Sequence, residues 1–256
     1  MSRLEYKFLV PNSRLPELRS MILPHVEVDP YSARRPGNEY TVRSLYLDTR
    51  VLDYYHEKLA GLKERKKLRI RGYNEYDPTT PVFLEIKRKS GGAITKQRSI
   101  LPYHNLLPLF ETGEVEKYVS SLPDDEESRE NARRFLFHFH KRALSPKISV
   151  TYEREAFFFK FDHGVRITFD KNLRGHNHVA LDSLFHEEQA LHAFPDHFIL
   201  EIKTNSGLPT WLKLILSRLD VKQESLSKYV ICTDSCLGVG YDPEQMSLRA
   251  VSFLRL

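Results

Sequence analysis

Cysteine is nearly absent from this chain: there are two, Cys232 and Cys236, in 256 residues. Two thiols make neither a disulfide framework nor a four-cysteine metal site, and they suit a reducing compartment. Long apolar runs are missing as well. No stretch approaches the ~18 residues of a membrane-crossing helix. The opening MSRLEYKFLV holds no apolar secretory segment, so a cytoplasmic protein is expected. There is no repeat, no long Gly/Ser linker and no block of one charge, so a single domain over 1–256 is expected. Neither sign of charge dominates: 39 Lys+Arg against 34 Asp+Glu leave +5, with a pI near 9.0. That mild excess points to an anionic partner without naming it. What is present is 41% hydrophobic and 29% charged residues, which excludes a disordered, collagen-like or low-complexity chain.

Alternating segments dominate. Strands are predicted at 3–10, 40–47, 66–73, 82–89, 93–101, 147–161, 165–170 and 197–204. Helices are predicted at 15–22, with Ser13 as its cap, at 51–59, 126–142 and 211–219, and in broken form over 106–119. Strands and helices do not alternate regularly, which argues against a parallel α/β fold. The expected class is α+β: an antiparallel sheet, open or closed into a barrel, with helices packed outside.

The strands share a chemical pattern. Lys67, Arg69 and Arg71 lie on one face of their strand, with Leu68 and Ile70 on the other. Glu85, Lys87 and Lys89 oppose Leu84 and Ile86, and Lys96 and Arg98 share a face. Arg154 lies with Tyr152, Arg166 with Thr168 and Asp170, and Glu201 with Lys203. A single solvated face explains any one of these strands. It does not explain all of them, because cations outnumber carboxylates and like charges across neighbouring strands cost stability. A polyanion held against the face resolves this. Arg forks grip phosphate oxygens in pairs and Lys adds point charges. Glu85 and Glu201 repel phosphate, but suit Mg²⁺ or Mn²⁺ bridging its oxygens.

The ordered motifs RLEYKF, SLYLDT, KLRIR, FLEIKRK, YEREAF, RITFD, ILEIKT and SKYV together resemble the VTC domain. This is the polyphosphate polymerase branch of the triphosphate tunnel metalloenzymes. The resemblance runs from Arg3 to about Val230. It implies a closed antiparallel tunnel and, as in eukaryotic members, transfer of the ATP γ-phosphate to a growing polyphosphate chain. It further implies that Lys7, Arg69, Arg71, Lys87, Arg154 and Arg166 hold the triphosphate. Lys96, Lys203 and Lys228 would hold the chain or the far phosphates, with Arg98 beside them. Tyr152 and Ser227 would touch phosphate oxygens. Glu201 matches the metal-binding glutamate, and Glu5 and Glu85 are weaker metal candidates for Mn²⁺ or Mg²⁺. The wider superfamily begins ExExK, where this chain has Arg3-Leu4-Glu5-Tyr6-Lys7. The arginine removes one carboxylate, which favours the polymerase branch and leaves two-metal chemistry open.

Transfer of this kind is mostly positioning and charge neutralisation. A phosphate acceptor gives a polymerase, and water gives a triphosphatase. Binding without turnover is a third reading. Nucleic-acid binding accounts for the cations but not for the carboxylates among them, so no nucleic acid is expected. Expected partners are ATP, triphosphate and inorganic polyphosphate. Eukaryotic relatives work in membrane complexes, which implies a separate membrane-protein partner and a position peripheral to it. The pairs His138/His140 and His176/His178 lack a third ligand at zinc spacing.

Overall fold

The computed structural model describes residues 4–91, 93–119 and 126–238. Arg3, Asp124, Asp125 and the tail from Tyr241 lie outside them. Ten strands form one antiparallel sheet: β1 (Leu4–Pro11), β2 (Val26–Val28), β3 (Glu39–Asp48), β4 (Arg65–Tyr73), β5 (Pro81–Ser90), β6 (Ala93–Pro102), β7 (Ser145–Phe159), β8 (Asp162–His176), β9 (Leu191–His192) and β10 (His197–Thr204). Their order is β1-β10-β8-β7-β3-β4-β5-β6, with β2 beside β7 and β9 beside β8. The helices are α1 (Leu15–Ile22), α2 (Pro30–Ala33), α3 (Asp53–Leu59), α4 (Leu106–Thr112), α5 (Val115–Tyr118), α6 (Glu126–Lys141), α7 (Thr210–Arg218) and α8 (Lys228–Cys236).

The class is mixed α and β as expected, but hydrogen bonds do not close the sheet into a barrel. Among the described residues, β1 and β6 end the path without pairing to each other. The physical reason lies at the two edges. Phe8 of β1 bridges Gln223, and the Lys7 carbonyl accepts from the Glu224 amide at 2.8 Å. At β6, the Ile100 amide donates to Ser128 Oγ at 3.0 Å, and Asn131 Nδ2 donates to the Arg98 carbonyl at 3.0 Å. Both edges spend backbone groups on other partners, which blocks further strand addition there.

The chain divides into two compact units. The first comprises Met1–Thr41, Tyr152–Arg174 and His192–Lys228; the second comprises Val42–Thr151, Gly175–Leu191 and Tyr229–Leu256. The first has its own core, in which Phe8 and Val10 of β1, Ile167 and Phe169 of β8, and Leu200 and Ile202 of β10 pack on α1 and α7. The second buries Leu68, Ile70, Leu84 and Ile86 under Leu106, Leu109, Phe135 and Leu136. The predicted apolar faces are therefore the covered ones.

Two local details depart from the sequence reading, and a third agrees with it. Ser13 does not cap α1; a 3-10 turn over Asn12–Arg14 leads in, and the N-cap is Arg14 with no side-chain cap bond. Strand β8 runs well past 170, to His176. Helix α8 contains both cysteines, and Cys232 packs so closely on Gly175 that an added Cβ there would lie 2.7 Å from the Cys232 Cβ. That thiol is a small packing group.

Candidate functional site

In the first unit, strand register assembles the site. Lys7, Glu201 and Thr168 stand abreast on β1, β10 and β8. Two residues along the same face, Glu5, Lys203 and Arg166 form a second row. Glu201 is the buried centre of this set. Its Oε1 lies 2.5 Å from Lys203 Nζ, and its Oε2 lies 3.6 Å from Lys228 and 3.8 Å from Lys7. Lys7 also reaches Glu5 at 2.9 Å and donates to the Leu226 carbonyl.

Beside this row lies a fully buried carboxylate, Asp170. Arg154 grips it through two nitrogens, at 2.5 and 2.7 Å, and Lys228 reaches it at 2.5 Å. Tyr152 lies under both cations, its ring centre 5.2 Å from the Arg154 guanidinium and 4.8 Å from Lys228 Nζ. The structure thus gives Tyr152 a cation–π role. Arg166 turns to Asp29, at 2.9 Å, and to the Tyr40 hydroxyl. Ser227 is buried next to Lys228 in the chain.

Burial and charge work against each other here. Burial alone would raise Glu201, but Lys203, Lys7, Lys228 and Arg154 hold it well below the usual carboxylate range. Burial would likewise raise Asp170, and Arg154 and Lys228 reverse it. Lys7 is raised, because Glu201 and Glu5 outweigh its desolvation. Lys203 differs. Glu201 pulls it up, yet burial and the Arg154 charge bring it below the ordinary lysine value.

The second unit carries its own cluster on β4, β5 and β6. Register places Arg69, Glu85 and Arg98 abreast, and Lys67, Lys87 and Lys96 abreast beside them. Glu85 is 1% exposed. It takes Arg69 on Oε2 at 2.7 Å, and Arg98 and Lys96 on Oε1, each at 2.6 Å. Its burial would raise its pKa, but Arg69, Arg71 and Lys96 hold it far below the carboxylate range. Desolvation brings Lys96 down to about 8 against the pull of Glu85, with Arg98 and Arg69 adding to the effect. Arg71 donates to Ser44 Oγ at 3.2 Å.

The structure therefore brings Glu5, Lys7, Tyr152, Arg154, Arg166, Glu201, Lys203 and Lys228 together in one unit. It brings Arg69, Arg71, Glu85, Lys87, Lys96 and Arg98 together in the other. Two contributors were not assigned from sequence. Asp170 is one, although its place on a cationic face was visible. The other is Tyr46, whose hydroxyl accepts from Arg69 at 3.0 Å and whose ring stacks on Tyr229 at 4.9 Å. Tyr229 in turn donates to Asp48 at 2.6 Å. Asp48 also accepts the amides of Thr49, Tyr54 and Tyr55, so the SLYLDT motif pins both α3 and the ring behind Arg69.

The sequence matches the VTC domain family over residues 2–237. The chain belongs to the VTC domain family. Comparison with curated proteins finds no significant relative. Among solved structures, this VTC domain is similar to the putative adenylyl cyclase HpAC1 from Hippeastrum, for which a dominant triphosphatase activity is described. The TM-score is 0.50 at 14% identity, covering 95% of this chain and 98% of that one. The likeness is one of fold.

Proposed function

We propose that this VTC domain is a metal-assisted phosphoryltransferase that moves the ATP γ-phosphate onto a growing polyphosphate chain. The observation that carries the proposal is one face bearing both chemistries. Lys7, Lys203, Lys228 and Arg154 surround a buried carboxylate, Glu201, with Glu5 on the next row. Cations alone would serve a binding module; the carboxylates among them suit a divalent metal that would neutralise phosphate charge.

Among the described residues, no group of three or more His, Cys, Asp or Glu side chains could hold a metal. A resident all-protein metal cage does not fit. A site of one or two carboxylates completed by substrate phosphates does fit, as Mg²⁺ commonly binds. Glu201 and Glu5 would hold the ion. Glu85 is a poorer candidate, because cations sit on both its oxygens at 2.6–2.7 Å, whereas those facing Glu201 Oε2 stand off at 3.6 and 3.8 Å. A bound Mg²⁺ or Mn²⁺ would neutralise charge on the transferring phosphate.

The chain's own residues then position the reactants. Lys7, Arg154, Arg166, Lys203 and Lys228 grip phosphate oxygens in the first unit, with Ser227 beside them. Arg69, Arg71, Lys87, Lys96 and Arg98 do so in the second. Asp170 and Glu85 hold the arginines in place before substrate arrives. The acceptor is a chain-terminal phosphate. A hydrolytic reading, with water as acceptor, draws support from the activity described for HpAC1 on a similar fold. The proposal includes a separate membrane-protein partner. No helix of the described residues is long and apolar enough to cross a membrane.

The deciding experiment supplies ATP and Mn²⁺ and analyses products. ADP with long polyphosphate is the expected result, and orthophosphate alone would assign a triphosphatase. No product, with a thermal shift on adding triphosphate, would leave a binding module. At a hundredfold excess over Kd that shift reflects about 2.7 kcal/mol, or roughly 5–10 °C for a chain of this size. Neither product nor shift at low salt would overturn the proposal.

Two further outcomes are expected in the second unit. Arg69→Ala should weaken triphosphate binding roughly ten- to a hundredfold, since a hydrogen bond to a charged group is worth about 1.5–3 kcal/mol. Calorimetry beside a thermal melt separates this from misfolding; binding within twofold of the unmodified chain would place Arg69 outside the site. Lys96, held down to about 8, should take up a proton when triphosphate binds near pH 8–9. Affinity then falls as pH rises through that range. Calorimetry in buffers of different ionisation enthalpy should show the uptake, and Lys96→Met should abolish it. The same uptake in that variant would assign the proton elsewhere.

A further inference from the structure

At the end of β4 and β5 nearest the β5–β6 turn, cation faces cation in three successive cross-strand pairs: Arg65 with Lys89, Lys66 with Arg88, and Lys67 with Lys87. Like charges directly opposite each other destabilise a sheet. Side chains alternate along a strand, so Lys66 and Arg88 point away from the face that bears Arg69 and Glu85. On their side, helix α6 ends. Lys66 Nζ lies 3.4 Å from His138 Nε2 in its last turn, and Arg142 follows directly after the helix.

This outer set repels itself. Burial lowers the Lys66 pKa, and Arg88, Arg142 and Lys141 lower it further, against the pull of Glu57. Burial also lowers His138, with Lys66, Lys141 and Arg142 adding to it. Glu64 offsets Arg88 only at 3.5 Å, while it accepts from Ser90 Oγ at 2.6 Å and from the Gly91 amide. A helix C-terminus favours cations, which accounts for Lys141 and Arg142. It does not account for Lys66 and Arg88, which sit on strands. The neighbouring cation pairs lie on the opposite face, so positive charge continues around the end of the sheet. A continuous track matches a polymer better than a single small anion.

We propose that Lys66, Arg88, His138 and Arg142 form a second phosphate-binding site. It holds the distal part of a long polyphosphate chain, beyond the residues that grip triphosphate. The proposal rests on the polyphosphate reading of the inner clusters and names the substrate of that reading as a long chain.

The test uses the full chain carrying Lys66→Gln and Arg88→Gln together, with Arg142→Gln as a second variant and thermal melts as the folding control. Affinities for long polyphosphate, triphosphate and inorganic phosphate are measured at two salt concentrations. The double variant should bind long polyphosphate about tenfold or more weakly. Its log affinity should also fall less steeply with log salt, by roughly 0.7 per lost contact, as for single-stranded polyanions. Triphosphate affinity should stay within twofold. Arg142→Gln should show the same selectivity to a smaller degree.

Unchanged long-chain affinity, or an equal loss for both ligands, would overturn the outer site. So would an unmodified chain that binds long polyphosphate no more tightly than triphosphate. Displacement of the long chain from this site by equimolar inorganic phosphate would assign it to a small anion and equally overturn the proposal. An unmodified chain that binds neither condensed phosphate would instead bring down the function proposed above.

Discussion

Asp170→Asn is expected to lower the melting temperature by roughly 6–20 °C. The carboxylate is fully buried and holds two buried cations, Arg154 at 2.5 and 2.7 Å and Lys228 at 2.5 Å. Removing one partner from a buried ion pair costs about 3–5 kcal/mol, because the other charge stays behind uncompensated. For a chain of this size each kcal/mol moves the melt by about 2–4 °C. The pKa of Asp170 lies below its ordinary 3.8 when folded, so its contribution is present above that value and is lost as pH falls toward the folded pKa. The gap between wild type and variant should therefore stay level from pH 5 to 8. A phosphate anion can replace the missing charge, so saturating triphosphate should raise the melt of the variant more than that of the wild type. A drop below about 3 °C without ligand, or equal ligand shifts, would show that Asp170 does not hold Arg154 and Lys228 for phosphate.

Glu201→Gln has the largest expected effect on turnover. The amide keeps the shape of the side chain and removes the charge. A catalytic metal supplies several kcal/mol of transition-state stabilisation, so metal-dependent turnover should fall at least about a hundredfold. Metal-free triphosphate binding should hold or tighten, since Lys203 and Lys7 lose a competitor for their charge. Steady-state rates at saturating Mn²⁺, with metal-free calorimetry alongside, separate the two effects. Turnover within tenfold of wild type would place the metal-binding carboxylate elsewhere.

Much of this arrangement was legible because it depends on strand periodicity. Lys67, Arg69 and Arg71 fall on one face wherever the strand goes, and burial of Leu68 and Ile70 then fixes which face is covered. Strand β10 was predicted at its observed limits, His197–Thr204. The fate of the sheet edges was not legible. It depends on Gln223, Ser128 and Asn131, polar residues with no periodic signal that meet the edge strands only through tertiary packing. The resemblance implied a closed tunnel, and the edges are satisfied differently. Tyr152 illustrates a second limit. Spacing placed it beside Arg154, but only the fold shows its ring lying under two cations. Asp170 was visible as a carboxylate on a cationic face, and its partners Arg154 and Lys228 lie too far along the chain for spacing to pair them.

The pairing of β1 with β10 also sets an order of events during synthesis. Lys7 and Glu5 find Glu201 and Lys203 across nearly the whole chain, and Lys7 waits further for Glu224 and Leu226. Ribosomes add about 5–20 residues per second, so β1 spends on the order of ten to forty seconds without its partner strand. An unpaired strand left open that long is a template for association between nascent chains. Charged residues that flank or interrupt apolar strands restrain such association. Glu5 and Lys7, alternating with Tyr6 and Phe8, place such charges on the waiting strand.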